Sequence, residues 1–199
     1  MKKVLIILTA ILISCSFLSG CGWLKNWKEK YILDTNNGVI LYGNEQQIQT
    51  SINKHKNKLI FSEIYKIKMV MIDNYKIMVL DKNTAASLRD KGLFKDVKNG
   101  NVEAATPELD VNKQQGILYG KKELNELVIN GQHISFKYDG NKVIGNSRSY
   151  ANMFLIVDHS VWDTVKGTEK AMGVLEFKEK PYKSQDQYDA EKGQLVKIR

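Results

Sequence analysis

Few side chains in this sequence are of the kinds that catalyse, ligate or anchor. The thiols are Cys15 and Cys21, and the imidazoles are His55, His133 and His159. One run, Asp158-His159-Ser160, carries the letters of an acyl-transfer triad, and one loop, Gly145-Asn146-Ser147-Arg148-Ser149-Tyr150, gathers a guanidinium, hydroxyls and a phenol. No two histidines stand three or four residues apart, the spacing at which one helix face presents a pair of metal ligands, so neither a metal nor another cofactor is expected. Triad groups meet in space from separate elements. Three consecutive residues at a strand-to-helix turn more simply cap the helix, and the chain is therefore read as a non-enzyme. Gly140 to Gly145 encloses Asn-Lys-Val-Ile and lacks the strand-loop-helix setting of a phosphate-binding loop. The 145–150 loop is the candidate binding site. Arg148 supplies charge-assisted hydrogen bonds, and Ser149 and Tyr150 add a hydroxyl and an aromatic ring, a set suited to a peptide or a phosphorylated headgroup. The competing reading is a solvated connector.

Cys21 carries different chemistry, set by what precedes it. Lys2 and Lys3 make a charged start, and Val4 to Leu18 is an almost unbroken apolar run, the shape of a cleaved secretory signal. The run closes on Leu18-Ser19-Gly20-Cys21, which resembles the lipobox of bacterial lipoproteins: Leu, a small residue, Gly or Ala, then Cys. The resemblance implies a diacylglyceryl group on the Cys21 sulfur and removal of residues 1–20. Cys21 then becomes the acylated first residue of a chain held on the extracytoplasmic face of the cell membrane. The plainer alternatives are an uncleaved transmembrane helix from Val4 to Leu24 and an ordinary cysteine. With Cys15 inside the signal, the mature chain has no disulfide partner for Cys21. Residues 21–37 read as a juxtamembrane linker, where Trp23 and Trp27, four apart among lysines, suit a bilayer interface or cap the domain core.

The full chain has 30 Lys+Arg against 22 Asp+Glu, net +8, and losing Lys2 and Lys3 with the signal leaves 28 against 22, net +6. Such a surface is drawn to anionic headgroups or wall polymers, while nucleic acid is excluded by compartment rather than by charge.

The elements that must position these groups form a single α+β domain, residues 38–199, with no Pro-rich or Ser/Gly-rich linker inside it. Val39 to Tyr42 reads as a strand. Asn44 caps a helix carrying Ile48 and Ile52. Leu59 to Ile72 and Tyr75 to Leu80 read as a hairpin turning at Asp73-Asn74, and Asp81 caps a helix that stops at Gly92. Gly116 to Gly120 predicts a strand, Lys121 to Leu127 a short helix, and Leu127 to Ile129 with Gln132 to Tyr138 a hairpin about Asn130-Gly131. Met153 to Val157 leads through Asp158 into a helix over Ser160 to Val165. Val174 to Phe177 and Leu195 to Ile198 close the list as strands.

One offset of 77 residues places Gly43 on Gly120, Asp81 on Asp158 and Leu88 on Val165. The expectation is an internal duplication, about 38–114 and 115–191, of strand-helix-hairpin-strand-helix units. Taken together, Ile40 to Asn44, Ile77 to Asp81 with Leu88 and Gly92, the Leu127 to Tyr138 hairpin, and Met153 to Trp162 followed by Val174 to Phe177 resemble the extracellular domain of bacitracin- and lantibiotic-type ABC transporter permeases of the FtsX-like superfamily. The resemblance implies a lipid-tethered version of a domain that senses cell-wall-active antimicrobial peptides or their lipid-linked targets, beside an ABC transporter. No binding residue is carried over from it. The alternative is a structural lipoprotein that contacts anionic cell-wall polymers.

Overall fold

Met153-Phe154-Leu155-Ile156-Val157 offers no polar side to water, and only a strand covered on both faces satisfies such a run. A computed structural model of the chain, which describes residues 35–199, buries all five residues. The expected signal (1–20), Cys21, and Trp23 and Trp27 of the expected linker lie outside the described residues. Thirteen strands and three helices are described, an α+β domain dominated by sheet. Among the described residues no helix is long and apolar enough to cross a membrane.

The main sheet has eight strands. They are β1 (Gly38–Gly43), β2 (Leu59–Ile72), β3 (Tyr75–Asp81), β6 (Gly116–Tyr119), β9 (Phe136–Tyr138), β11 (Met153–Val157), β12 (Thr168–Phe177) and β13 (Lys192–Val196), in the order β13-β1-β12-β2-β3-β11-β6-β9. Pairing is antiparallel except for β3 with β11 and β6 with β9. A three-stranded sheet orders β10 (Lys142–Ile144), β4 (Phe94–Lys98) and β5 (Asn101–Ala104), and a two-stranded ribbon joins β7 (Val128–Ile129) to β8 (Gln132–His133).

Strand alternation sends side chains to two faces. Ile40, Tyr42, Met78, Leu80, Phe154, Ile156, Met172 and Val174 point one way and pack against helix α2 (Lys82–Asp90), through Ala85 and Leu88, and against Phe94, Val143 and Ile144 of the small sheet. The opposite face is covered in two patches. Helix α1 (Glu45–His55) and Tyr188 lie over Val39, Leu41 and Leu175, while helix α3 (His159–Thr164) and the ribbon lie over Ile77, Val79, Leu118 and Leu155. Full burial of each such side chain contributes about 1.5–3 kcal/mol.

The helices start where capping residues allow. Asn44 Oδ1 accepts from Gln47 N at 2.8 Å and Gln47 Oε1 accepts from Asn44 N at 2.9 Å, a reciprocal capping box. Asp81 Oδ1 accepts from the N–H groups of Asn83 and Thr84, and Asp158 Oδ1 from that of Ser160. The six-residue α3 is also held at its far end. Lys68, only 5% exposed, sends its ammonium from β2 to the carbonyls of Trp162 (2.8 Å), Val165 (2.9 Å) and Asp163 (3.4 Å), and lies 4.2 Å from the centre of the Trp162 ring.

The expected duplication survives only locally. β3 and β11 are parallel neighbours, β3 ending on Asp81 and β11 just before Asp158, and each Asp caps the next helix, but α2 and α3 cover opposite faces. Elsewhere a constant offset fails. β1 lies between β13 and β12, whereas its supposed counterpart β6 pairs with β11, the place β2 holds beside β3. Lys121 to Leu127 forms no helix. Seven residues barely repay nucleation, and Leu127 is buried against Ile129 and Ile134 instead. The Asn130-Gly131 turn forms with positive φ at both residues, but its ribbon is two residues deep, and Phe136–Tyr138 leaves it to pair with β6.

Candidate functional site

The 145–150 loop turns inward. Gly145, at φ +76°, reverses the chain after β10, and Asn146 is fixed to β13 through Gln194 Oε1 (3.0 Å) and the Leu195 carbonyl (2.7 Å). Arg148 Nη2 donates to Asn141 Oδ1 at 2.5 Å and to the Lys142 carbonyl at 2.9 Å. Its Nε is buried without a partner among the described residues, and burial pushes the guanidinium pKa down. Tyr150 stacks on Tyr42 with ring centres 4.4 Å apart and donates to Glu191 at 2.9 Å, while the Lys76 ammonium lies 4.0 Å from its ring centre. Burial, then Glu191, raises the Tyr150 pKa. Ser149 is exposed and gives its N–H to Ser147 Oγ. The loop thus ties β10 and β13 together. Of the three candidate residues only Ser149 faces solvent freely.

Asp158, His159 and Ser160 form a helix cap. The Ser160 hydroxyl donates to Asp158 Oδ1 at 2.6 Å, and His159 Nε2 lies 3.7 Å from Asp163 one helical turn on. His55 is enclosed by Phe177, Tyr182 and Tyr188 and bonds the Gln187 carbonyl at 3.0 Å, while His133 is exposed on β8. Among the described residues no three His, Cys, Asp or Glu side chains converge as metal ligands.

Carboxylates converge elsewhere. A cleft of about 480 Å³ lies between the small sheet and the edge of the main sheet, lined by Asp96, Glu108, Asp110 and Asp139 and by Lys137 and Lys142. Four carboxylates against two ammoniums leave it negative within a basic protein. Lys142 sits at its base, bonded to the Asp139 carbonyl (2.6 Å) and carboxylate (3.1 Å) and 3.7 Å from Asp96. Its ammonium also lies 5.2 Å from the ring centre of Tyr119. The Tyr119 hydroxyl is buried with no hydrogen-bond partner among the described residues. Burial raises its pKa most, and the neighbouring charges of Asp139 and Asp96 raise it further. An ammonium or guanidinium entering the cleft would meet the carboxylates of Asp96, Glu108, Asp110 and Asp139 as acceptors. The sequence conceals this site because its acids come from β4 and from two loops, spread between Asp96 and Asp139 with no common spacing.

Comparisons with known proteins agree on one word. The model of a family described as an uncharacterised lipoprotein family matches residues 36–199. A solved structure described as a "Putative Lipoprotein from Bacillus anthracis" superposes with a TM-score of 0.73 at 24% identity, over 82% of this chain and 99% of that one, which is a likeness of fold. No curated protein matches the chain.

Proposed function

The chain belongs to the uncharacterised lipoprotein family, and from that premise we propose that it is a membrane-anchored extracytoplasmic binding module. Cys21 carries the lipid, and the acidic cleft takes a cationic group of its ligand. The cleft is the observation that carries the reading. A protein of net +6 repels cationic peptides unless it offers them a local negative site, and Asp96, Glu108, Asp110 and Asp139 make one. The role is binding rather than catalysis, in keeping with the use of Asp158, His159 and Ser160 as a cap. The resemblance to bacitracin- and lantibiotic-type permease domains supports a cationic cell-wall-active peptide as ligand and an ABC transporter as neighbour.

Two experiments test this. Cys21→Ala should abolish fatty-acid labelling and release the protein from the membrane; equal labelling of wild type and variant would remove the anchor. Titration calorimetry of the mature chain without its acyl group should detect a cationic lantibiotic. Glu108→Gln with Asp110→Asn, both exposed positions, should weaken binding about tenfold at low salt and less at high salt. Absence of heat with lantibiotic and bacitracin-type peptides alike, in a folded protein, would point instead to contact with anionic wall polymers.

A further inference from the structure

β12 and β2 fall out of step at one residue. Phe177 pairs with Leu59 and Glu176 with Phe61, so Ile60 is the extra residue of a bulge, a device that re-aims a side chain. Here it aims an aliphatic side chain into solvent, 60% exposed. Lysines stand on both sides of it. Lys56 and Lys58 occupy the turn before β2, Lys178 and Lys180 follow β12, and all four are exposed. The two segments are stitched together. Lys178 N donates to the Lys58 carbonyl at 2.9 Å, Lys178 Nζ to the Asn57 carbonyl at 3.1 Å, and Lys58 Nζ to the Tyr182 hydroxyl. A cavity of about 260 Å³ opens between Lys58, Lys178 and Lys180 over Phe177 and Tyr182, with Glu179 the one carboxylate on its wall among the described residues.

The chain also enters the domain here. The Asn37 carbonyl accepts from Phe177 N at 2.8 Å, its Nδ2 donates to Glu176 at 2.8 Å, and its Oδ1 accepts from Ile198 N at 2.8 Å. Asn37, just before β1, is therefore fixed beside Lys178.

We propose that this end of the domain rests on an anionic bilayer, with Lys56, Lys58, Lys178 and Lys180 over phospholipid headgroups and Ile60 inserted among them. Water favours the lysines and disfavours the isoleucine, whereas a headgroup layer satisfies both, and such surfaces hold aliphatic side chains ringed by cations. A soluble anionic polymer would use the lysines and leave Ile60 without a role. The inference is independent of the acidic cleft and of its ligand.

The test uses the mature chain from residue 21 with Cys21→Ala, which carries no lipid, sedimented with phosphatidylcholine vesicles with and without phosphatidylglycerol. Wild type should bind the phosphatidylglycerol vesicles and leave the neutral ones. Lys56→Gln alone should weaken binding about fivefold, and Gln at all four lysines about a hundredfold or more. Ile60→Ser should weaken it severalfold. Matching thermal unfolding establishes that each variant is folded; Lys56→Gln and Ile60→Ser, both exposed, carry the test if the fourfold variant is not. Two results would overturn the proposal: binding to anionic vesicles unchanged in the folded lysine variants, or Ile60→Ser without effect while purified teichoic acid binds in a lysine-dependent way.

Discussion

Replacing Lys68 by methionine keeps the aliphatic stem under α3 and removes the ammonium that closes it. Two carbonyls, of Trp162 and Val165, lie within 2.9 Å of that ammonium, and the Trp162 ring centre is 4.2 Å away. Hydrogen bonds to a charged donor contribute about 1.5–3 kcal/mol each, and a desolvated cation over indole about 2 kcal/mol. Withdrawing the ammonium from water offsets several kcal/mol of this. Methionine recovers part of the ring contact through its sulfur but leaves both carbonyls buried and unpaired. The net loss should be about 3 kcal/mol, a fall in Tm of about 6–12 °C for a domain of this size. Urea unfolding followed by circular dichroism gives the global value. Amide exchange at Trp162 and Val165, whose N–H groups close α3 onto Asp158 and Val161, should accelerate more than exchange at β11. A Lys68→Met midpoint equal to wild type, at unchanged slope, would refute the view that this lysine holds the helix.

Asp81→Ala removes an acceptor of two backbone N–H groups and the Thr84 hydroxyl and should cost about 1–2 kcal/mol by urea midpoint; Asp158→Ala, capping a shorter helix, should cost less. At Gly173 an added Cβ would stand 2.4 Å from Ile48 Cγ2, so Gly173→Ala should push α1 off the sheet and cost about 1–3 kcal/mol, which Ile48→Val should partly restore. The Lys170 ammonium, and then the Tyr150 hydroxyl, hold the Glu191 carboxyl below the ordinary glutamate range. Its stabilising contribution is therefore complete above that range and is lost as pH falls through the depressed value. Glu191→Gln should show lower stability at neutral pH and a shallower acid limb in urea midpoints measured against pH; an unchanged acid limb would count against it.

What the sequence made legible was local. Asn44, Asp81 and Asp158 cap the helices they were expected to cap, because a cap is decided within four residues. Asp73 and Asn130 turn hairpins for the same reason, and the equivalent Asn99-Gly100 turn between β4 and β5, with positive φ at both residues, carried the same signal unread. The expected final strand Leu195–Ile198 begins earlier, at Lys192, since its pairing with β1 fixes its bounds. The duplication failed because an offset in sequence says nothing of which strand lies beside which. The 145–150 loop is a candidate by its side-chain types alone. Whether Arg148 faces outward depends on Asn141 and the Lys142 carbonyl, and nothing in the residues marks these as its partners. The acidic cleft was out of reach for a related reason, since Asp96 and Asp139 become neighbours only when β10 pairs with β4.

The pairing of β1 also bears on the order of events as the chain folds. The strand nearest the linker is flanked on both sides by strands from the far end of the chain, β12 and β13, and the bond from Ile198 to Asn37 spans 161 residues. A chain that emerges from its N-terminus cannot seat β1 until nearly all of it has emerged. Contacts of such range also make the final closure slow relative to formation of the β2-β3 hairpin, which needs only its own turn.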